Sequence, residues 1–493
     1  MAKRNILLMI ADDLGKQLGC YGNSKIQTPH LDQLARDGTR FDQAFTSTAS
    51  CSASRSVIYT GLHTHQNGQY GLHNGRHHFT TFDHVETAPA LFSQHGYLTG
   101  LIGKVHVGPS SVYPWETCAE SDSRNVANVA DQASAFFKRS VCEESPFFLT
   151  IGFIDPHRDL TRSGFGNNSQ YDPRVKQIDY SPEGIAVEPF VNDLPGVRFE
   201  FAEYYRSISR LDQGVGMVLE ELEKNDLAED TLVIFMSDNG PPFINSKTTL
   251  YDAGICLPLL IKCPGSEAGI ANPNMVSYID ILPTLLDWAN HPSPEHPARL
   301  GRSLLPILSQ SSQIDFWDQV FGSHTFHEIT NYWPTRFMRN RRFKYHRNIA
   351  WRLDFPFAAD IYGSLAWEDI RNSDISPKMI GKRPLKNYFF RPPEELYDIQ
   401  ADPHEVCNLV NNPEYGPVLD EMRLAVEQWQ RRTEDPWLFR DGVSMLLVRQ
   451  HLAAGLEVPD RFDFNEREPE SKGQVIFDSK LAWGPAVDSG LVE

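Results

Sequence analysis

The 493 residues carry 46 Lys+Arg against 64 Asp+Glu, a formal net charge of −18, with 41% hydrophobic and 22% charged residues. That balance suits a soluble globular chain of two domains and argues against nucleic acid as the partner. The seven cysteines (20, 51, 118, 142, 256, 263 and 407) are odd in number and form no CxxC, so a reducing compartment or mostly free thiols, with no disulfide framework, are expected.

Asn5 to Ile10 is an apolar run too short to cross a membrane. Asp12-Asp13 follows at once, which is wrong for a signal peptide, so the run reads as a buried strand. A cytoplasmic location, or a periplasmic or secreted one if a leader was removed, and no membrane partner are expected. Thr28 to Gly38 reads as a helix opened by Pro29 and closed by Gly38, and Phe41 to Phe45 as a short strand. Cys51-Ser52-Ala53-Ser54-Arg55-Ser56 begins a short helix closed at Gly61, and a His-, Gly- and Asn-rich loop runs on to His78. Ala88 to Gly96 is helical. Strands are predicted at Leu98 to Ile102, Pro146 to Phe153, Thr231 to Met236 and Leu257 to Lys262, with long helices at Phe199 to Lys224 and Ile279 to Ala289. Residues 159–198 read as a long irregular excursion.

Strands alternating with helices predict an α/β fold, a mostly parallel sheet sandwiched by helices. The pattern changes near residue 315. Short strands at Gln319 to Ser323, Thr335 to Met338, Arg342 to His346 and Leu396 to Asp398, then a helix over Pro417 to Arg432, predict a smaller C-terminal α+β domain on an antiparallel sheet. The division expected is 1–315, catalytic, and 316–493, completing the substrate pocket. The tail beyond Leu456 is polar and irregular.

Four clusters stand just past predicted strand ends: Asp12-Asp13, Lys104-Val105-His106, Asp155-Pro156-His157 and Asp238-Asn239. In an open parallel sheet that edge is where ligands bind. Asp12, Asp13, Asp238 and Asn239 offer oxygen ligands, which suit a hard cation, Ca²⁺ or Mg²⁺, rather than zinc. Lys104, His106, His157 and Lys247 beside such a cation predict a site for a tetrahedral oxyanion. Cys51 lies at a helix start with Arg55 one turn on, a spot that favours anions.

Taken together these residues resemble the type I sulfatases of the alkaline-phosphatase-like superfamily. Cys51-Ser52-Ala53-Ser54-Arg55 is similar to the Cys-x-Pro/Ala-x-Arg signature whose cysteine is oxidised to formylglycine, with Ala53 where the commonest form has proline. Thr28-Pro29-His30-Leu31, Thr60-Gly61, Gly103-Lys104, Ser237-Asp238-Asn239-Gly240 and Leu396-Tyr397-Asp398 with Asp402-Pro403-His404-Glu405 fit in order. Within the family the chain resembles the heparan N-sulfatase (sulfamidase) branch, on His65-Gln66-Asn67-Gly68, Tyr70-Gly71-Leu72-His73, His77-His78-Phe79, His106-Val107-Gly108-Pro109, Phe355-Pro356-Phe357 and Asp435-Pro436-Trp437.

The resemblance implies a formylglycine derived from Cys51, oriented by Arg55. It implies Ca²⁺, with Mg²⁺ as the alternative, held by Asp12, Asp13, Asp238 and Asn239. Lys104 and Lys247 would bind sulfate oxygens. His157 would be the acid for the leaving group and His106 the base. Asp155, Arg158, His327 and Glu328 are expected contacts to the sugar. Partners expected are a small sulfated saccharide, with N-sulfoglucosamine at a non-reducing end the leading choice, a formylglycine-maturation enzyme and, as one option, a second copy in a homo-oligomer. The alternatives are an O-sulfatase on another sulfated sugar, a phosphonate or phosphate ester hydrolase of the same superfamily, and a catalytically silent glycan-binding protein if Cys51 stays a thiol.

Overall fold

A computed structural model describes residues 4–438 except 122–123, 162–163 and 295–296; the irregular tail expected beyond Leu456 lies outside the described residues. Asn5–Ala11 (β1) is buried at every position. Leu7 and Met9 enter one core with Leu149, Ile151, Val233 and Phe235, whereas Ile6, Leu8 and Ile10 enter another with Phe148, Leu232, Ile234 and Met236. Successive strand side chains point to opposite faces, so a strand covered on both sides has no polar edge to its pattern.

Among the described residues nine strands join this sheet. They are β1, Thr39–Phe45 (β2), Leu98–Gly103 (β3), Thr117–Glu120 (β4), Phe147–Gly152 (β5), Thr231–Ser237 (β6), Cys256–Leu257 (β7), Leu259–Lys262 (β8) and Ile270–Ser277 (β9). Their order is β4-β3-β5-β1-β6-β8-β2-β7, with β9 on β2. From β4 to β6 every pairing is parallel. β8 then runs antiparallel to both β6 and β2. One face is covered by Val126–Cys142 and Pro195–Lys224, through Phe136, Phe137, Phe201, Ile208 and Leu211. The other is covered by Cys51–Thr60 and Ile281–Trp288, through Val57, Ile58, Leu282 and Leu285.

The expected α/β architecture is therefore present, with local corrections. The single strand predicted over Leu257 to Lys262 is split at Pro258, which has no N–H to donate to a ladder. The helix predicted from Phe199 begins at Pro195, since proline fits a first helical turn. The 17-residue helix Val126–Cys142 and strand β9 lay outside the sequence expectations. Between 159 and Pro195 the described residues form no helix or strand.

A second sheet orders Gln319–His324 (β10), Thr335–Asn340 (β11), Phe343–Asn348 (β12) and Glu394–Asp398 as an antiparallel meander. Helix Gly416–Arg432 covers it with Leu419, Met422 and Val426 on Met338, Tyr345 and Leu396. Its inner edge docks on the segment leading to Cys51: the Ser323 N–H donates to the Ser47 carbonyl at 2.8 Å, and Val320 and Phe337 pack with Phe45 and Ala49. Among the described residues no helix is long and apolar enough to cross a membrane.

Candidate active site at the carboxyl ends of the parallel strands

Four neighbouring strands, β3-β5-β1-β6, end side by side, and each delivers one of the clusters singled out in the sequence. Asp12 and Asp13 continue β1, Lys104 and His106 follow β3, Asp155 and His157 follow β5, and Asp238 and Asn239 follow β6. The close approach is visible at Gly103, whose φ is +90° and where a Cβ would stand 2.3 Å from the Gly152 carbonyl oxygen. Only glycine fits such a left-handed, crowded position, and it lets Lys104 turn out of the sheet. Asp13 and His106 adopt φ of +62° and +56°. Non-glycine residues in that region are held by their surroundings, and they concentrate at functional sites.

The side chains converge on one another. Lys247 Nζ donates to Asp13 Oδ2 at 2.8 Å and to Asp360 Oδ2 at 2.7 Å, and lies 3.2 Å from His157 Nε2. His157 Nδ1 meets the Arg158 carbonyl at 2.5 Å; because a carbonyl only accepts, Nδ1 carries the proton and the Nε2 lone pair faces Lys247. Lys104 is paired with Asp12. Arg55 Nε donates to Asp238 Oδ2 at 2.9 Å, and the Asp13 N–H donates to Asp238 Oδ1 at 3.1 Å. Cys51, at the first turn of its helix, places Sγ 3.9 Å from Asp13 Oδ1. Ligand atoms of Asp12, Asp13, Cys51 and His157 all lie within 4.8 Å of one another.

Burial opposes ionising Asp12, but Lys104, His157, Arg55 and Lys247 outweigh it and hold its carboxyl well below the usual range. Burial, reinforced by the Asp12 charge, pushes Asp238 up to about 7. Burial also raises the Cys51 thiol well above its ordinary value, against the pull of Lys104. As a thiol this cysteine is neutral, so the electropositive helix start expected from sequence does not make it a thiolate. Burial lowers His106 and His157, each further depressed by a lysine.

The chain's own residues fit a hard cation. Asp12 Oδ1 and Asn239 Oδ1 are buried with no hydrogen-bond partner among the described residues, and the acidic cluster is crowded enough to leave Asp238 near neutrality. A divalent ion would meet both free oxygens and relieve the mutual repulsion. Arg55 Nη2 and both His106 ring nitrogens are likewise buried without partners, which leaves donors and acceptors open for an anion and its attacking group.

Asp155 and Arg158, expected as sugar contacts, are placed in the scaffold instead. Arg124 and Arg210 occupy both Asp155 oxygens at 2.6–2.7 Å. Arg158 forms a two-point pair with Glu200 at 2.8 and 2.7 Å and donates to the Pro242 carbonyl at 2.8 Å. His327 is buried beside Ser50, its Nδ1 2.9 Å from Ser50 Oγ, next to Cys51. Glu328 is half-buried and accepts from the Ala359 N–H at 3.2 Å. The His65–His78 loop touches the cysteine helix through the His73 N–H on Ser52 Oγ at 3.0 Å. His73 and Asn74 line a cavity of about 720 Å³ with Asp12, Lys104, His106 and His157. Sequence reasoning missed Asp360, whose only local signal is the preceding Phe355-Pro356-Phe357.

The sulfatase family model matches residues 4–291. The chain belongs to the sulfatase family. A second model, the C-terminal region of N-sulphoglucosamine sulphohydrolase, matches residues 244–352. The sulfatase chain is 39% identical over 473 residues to human N-sulphoglucosamine sulphohydrolase, covering 89% of this chain and 92% of that protein. It is 29% identical to an ulvan-active sulfatase of Formosa agariphila, covering 88% and 81%. Among solved structures it is similar to a protein in complex with its substrate D-glucosamine-2-N,6-O-disulfate (TM-score 0.65, 20% identity, 88% and 98% covered). It is also similar to a phosphonate monoester hydrolase from Silicibacter pomeroyi (TM-score 0.63, 18% identity, 87% and 96% covered). Those two likenesses establish the fold. The family implies a formylglycine and a divalent metal, and this sulfatase hydrolyses sulfate esters or sulfamates.

Proposed function

We propose that this sulfatase is a sulfamidase, releasing sulfate from N-sulfoglucosamine at the non-reducing end of heparan-type glycans. One observation carries the reading: 39% identity to an N-sulphoglucosamine sulphohydrolase extends over 89% of the chain. The C-terminal match includes β10 to β12, the sheet that docks beside Cys51. In this reading Ca²⁺ is held by Asp12, Asp13, Asp238 and Asn239, and a maturation enzyme converts Cys51 to formylglycine.

Formylglycine supplies, as its hydrate, a hydroxyl nucleophile and an internal route for expelling sulfate afterwards. The cation supplies Lewis acidity at the sulfate oxygens. The chain's own groups do the rest. Arg55, on the same helix as position 51, is fixed by Asp238 and leaves Nη2 to face the anion. Lys104 and Lys247 bring ammonium donors to sulfate oxygens. His106, neutral and with both nitrogens free, accepts a proton from the attacking group. His157 alone is held neutral, with its Nε2 unprotonated, by burial and by Lys247. We therefore assign the proton for the leaving nitrogen to the Lys247–His157 pair, whose nitrogens are 3.2 Å apart.

The test is a tryptic-peptide mass at Cys51 for protein from its native host, paired with sulfate release from N-sulfoglucosamine, glucosamine 6-sulfate and an aryl phosphonate. The expected result is the mass loss of thiol-to-aldehyde conversion and fastest release from the N-sulfated sugar. Preference for the 6-sulfate or the phosphonate overturns the reading in favour of those activities. An unmodified thiol with no turnover makes the chain a glycan-binding protein.

A further inference from the structure

Asp360 reaches Lys247 and His157 from outside the nine-stranded sheet, on the short helix Ala359–Tyr362. That turn is anchored from several directions. Ala358 and Ile361 are buried, and Phe357 stacks on Tyr362 with centroids 4.7 Å apart and meets Trp367 at 5.0 Å. The Ala359 N–H donates to Glu328, and Asn331 Nδ2 donates to the Phe357 carbonyl at 3.0 Å, which ties the turn to the loop carrying His327. A side chain held this way is preorganised for its ligand.

Asp360 Oδ2 accepts from Lys247 and lies 3.8 Å from His157 Nε2. Its Oδ1 is buried with no hydrogen-bond partner among the described residues. A buried carboxylate oxygen without a donor is costly, and a pocket built to collect an anion gains no electrostatic benefit from another carboxylate. Lys247 does not require it either, because Asp13 already serves as its counter-ion at 2.8 Å. What Asp360 adds is a hydrogen-bond acceptor beside the Lys247–His157 pair, to which the leaving-group proton is assigned above.

The two substrate classes differ at that point. The bridging oxygen of a sulfate ester carries only lone pairs, whereas the bridging nitrogen of a sulfamate carries a hydrogen. We propose that Asp360 Oδ1 accepts this N–H, so that Asp360 selects sulfamates over sulfate esters. The assignment rests on the sulfamidase reading above. With an ester bound, the same oxygen faces lone pairs and stays unsatisfied, so selection comes from attraction in one case and repulsion in the other.

The experiment compares wild type, Asp360→Asn and Asp360→Ala in the mature, formylglycine-bearing enzyme. The substrates are N-sulfoglucosamine and 4-methylumbelliferyl sulfate. Loss of one hydrogen bond to a charged group should lower kcat/KM on the sulfamate by about tenfold or more. The ester, which meets only repulsion at this oxygen, should lose nothing, so the sulfamate-to-ester ratio falls by about tenfold or more. Equal losses on both substrates overturn the assignment and leave Asp360 as a positioning residue for Lys247. Absence of sulfamate turnover in wild type overturns the functional reading itself and the assignment with it, a result distinct from equal losses in the variants.

Discussion

Among the described residues two arginine–aspartate pairs are fully buried, and they are built in opposite ways. Arg336–Asp435, under the second sheet, is complete: Asp435 accepts Arg336 Nε at 2.5 Å, Nη2 at 2.7 Å, Gln430 at 2.8 Å and the Trp437 N–H at 3.1 Å. Although burial opposes it, the guanidinium holds the Asp435 carboxyl well below its usual range. Arg55–Asp238, at the strand ends, is incomplete. It has a single hydrogen bond of 2.9 Å, a free Arg55 Nη2, and neighbours Asp12 and Asn239 with unpartnered oxygens. There the aspartate is pushed up to about 7 by burial and a second acid. Chemistry and burial are the same, so what separates scaffold from site is whether the polar atoms already have partners.

The largest effect that would sharpen this contrast comes from Cys51→Ala. It should lower sulfate release by about 10⁴-fold or more while the thermal midpoint moves by only about 2 °C. Residual turnover close to wild type would remove position 51 from the chemistry. Next in size is Asp435→Ala, which leaves a buried guanidinium alone and should cost about 3–5 kcal/mol in denaturant unfolding, with kcat of the remaining folded enzyme little changed. If Asp238→Ala in metal-free protein destabilised by as much, the proposed difference between the pairs would be gone.

The smallest effect concerns pH. In metal-free protein burial and the neighbouring Asp12 charge push Asp238 up to about 7, above the ordinary aspartate value of about 3.9, so the folded state holds a proton that the unfolded chain has released. Its stabilisation is fully present below the unfolded value and is lost as pH rises towards 7. Protein stripped with EDTA should therefore weaken relative to calcium-loaded protein as pH climbs from about 4 to about 7, by roughly 1–2 kcal/mol allowing for relaxation of the site. Asp238→Asn should remove that part of the slope. An unaltered slope in the stripped variant would mean that other buried acids produce it.

Much of this was legible locally. The run Ile6 to Ile10 announced a strand covered on both faces, and acids directly after it announced a strand end. The same reasoning misread Asp155: a carboxylate at a strand end reads as functional, and nothing local reveals that Arg124 and Arg210 close on it from other segments. It also missed Asp360, which lies 113 residues from Lys247 on a four-residue helix too short to show a periodic pattern.

The sequence alone determined where the central strands of the large sheet run, which loops carry acids, lysines and histidines, and the cysteine signature that points to sulfatases. These depend on side-chain periodicity and on residue types within a few positions of one another, which the chain states directly. Tertiary structure decided which charges meet. It paired Asp155 with two arginines, left Asp12 and Asn239 with open oxygens, buried Cys51 so that its thiol is raised, and brought Asp360 onto Lys247. Coulombic and hydrogen-bond partnerships act through space at a few ångströms, and only the packing of distant segments sets those distances.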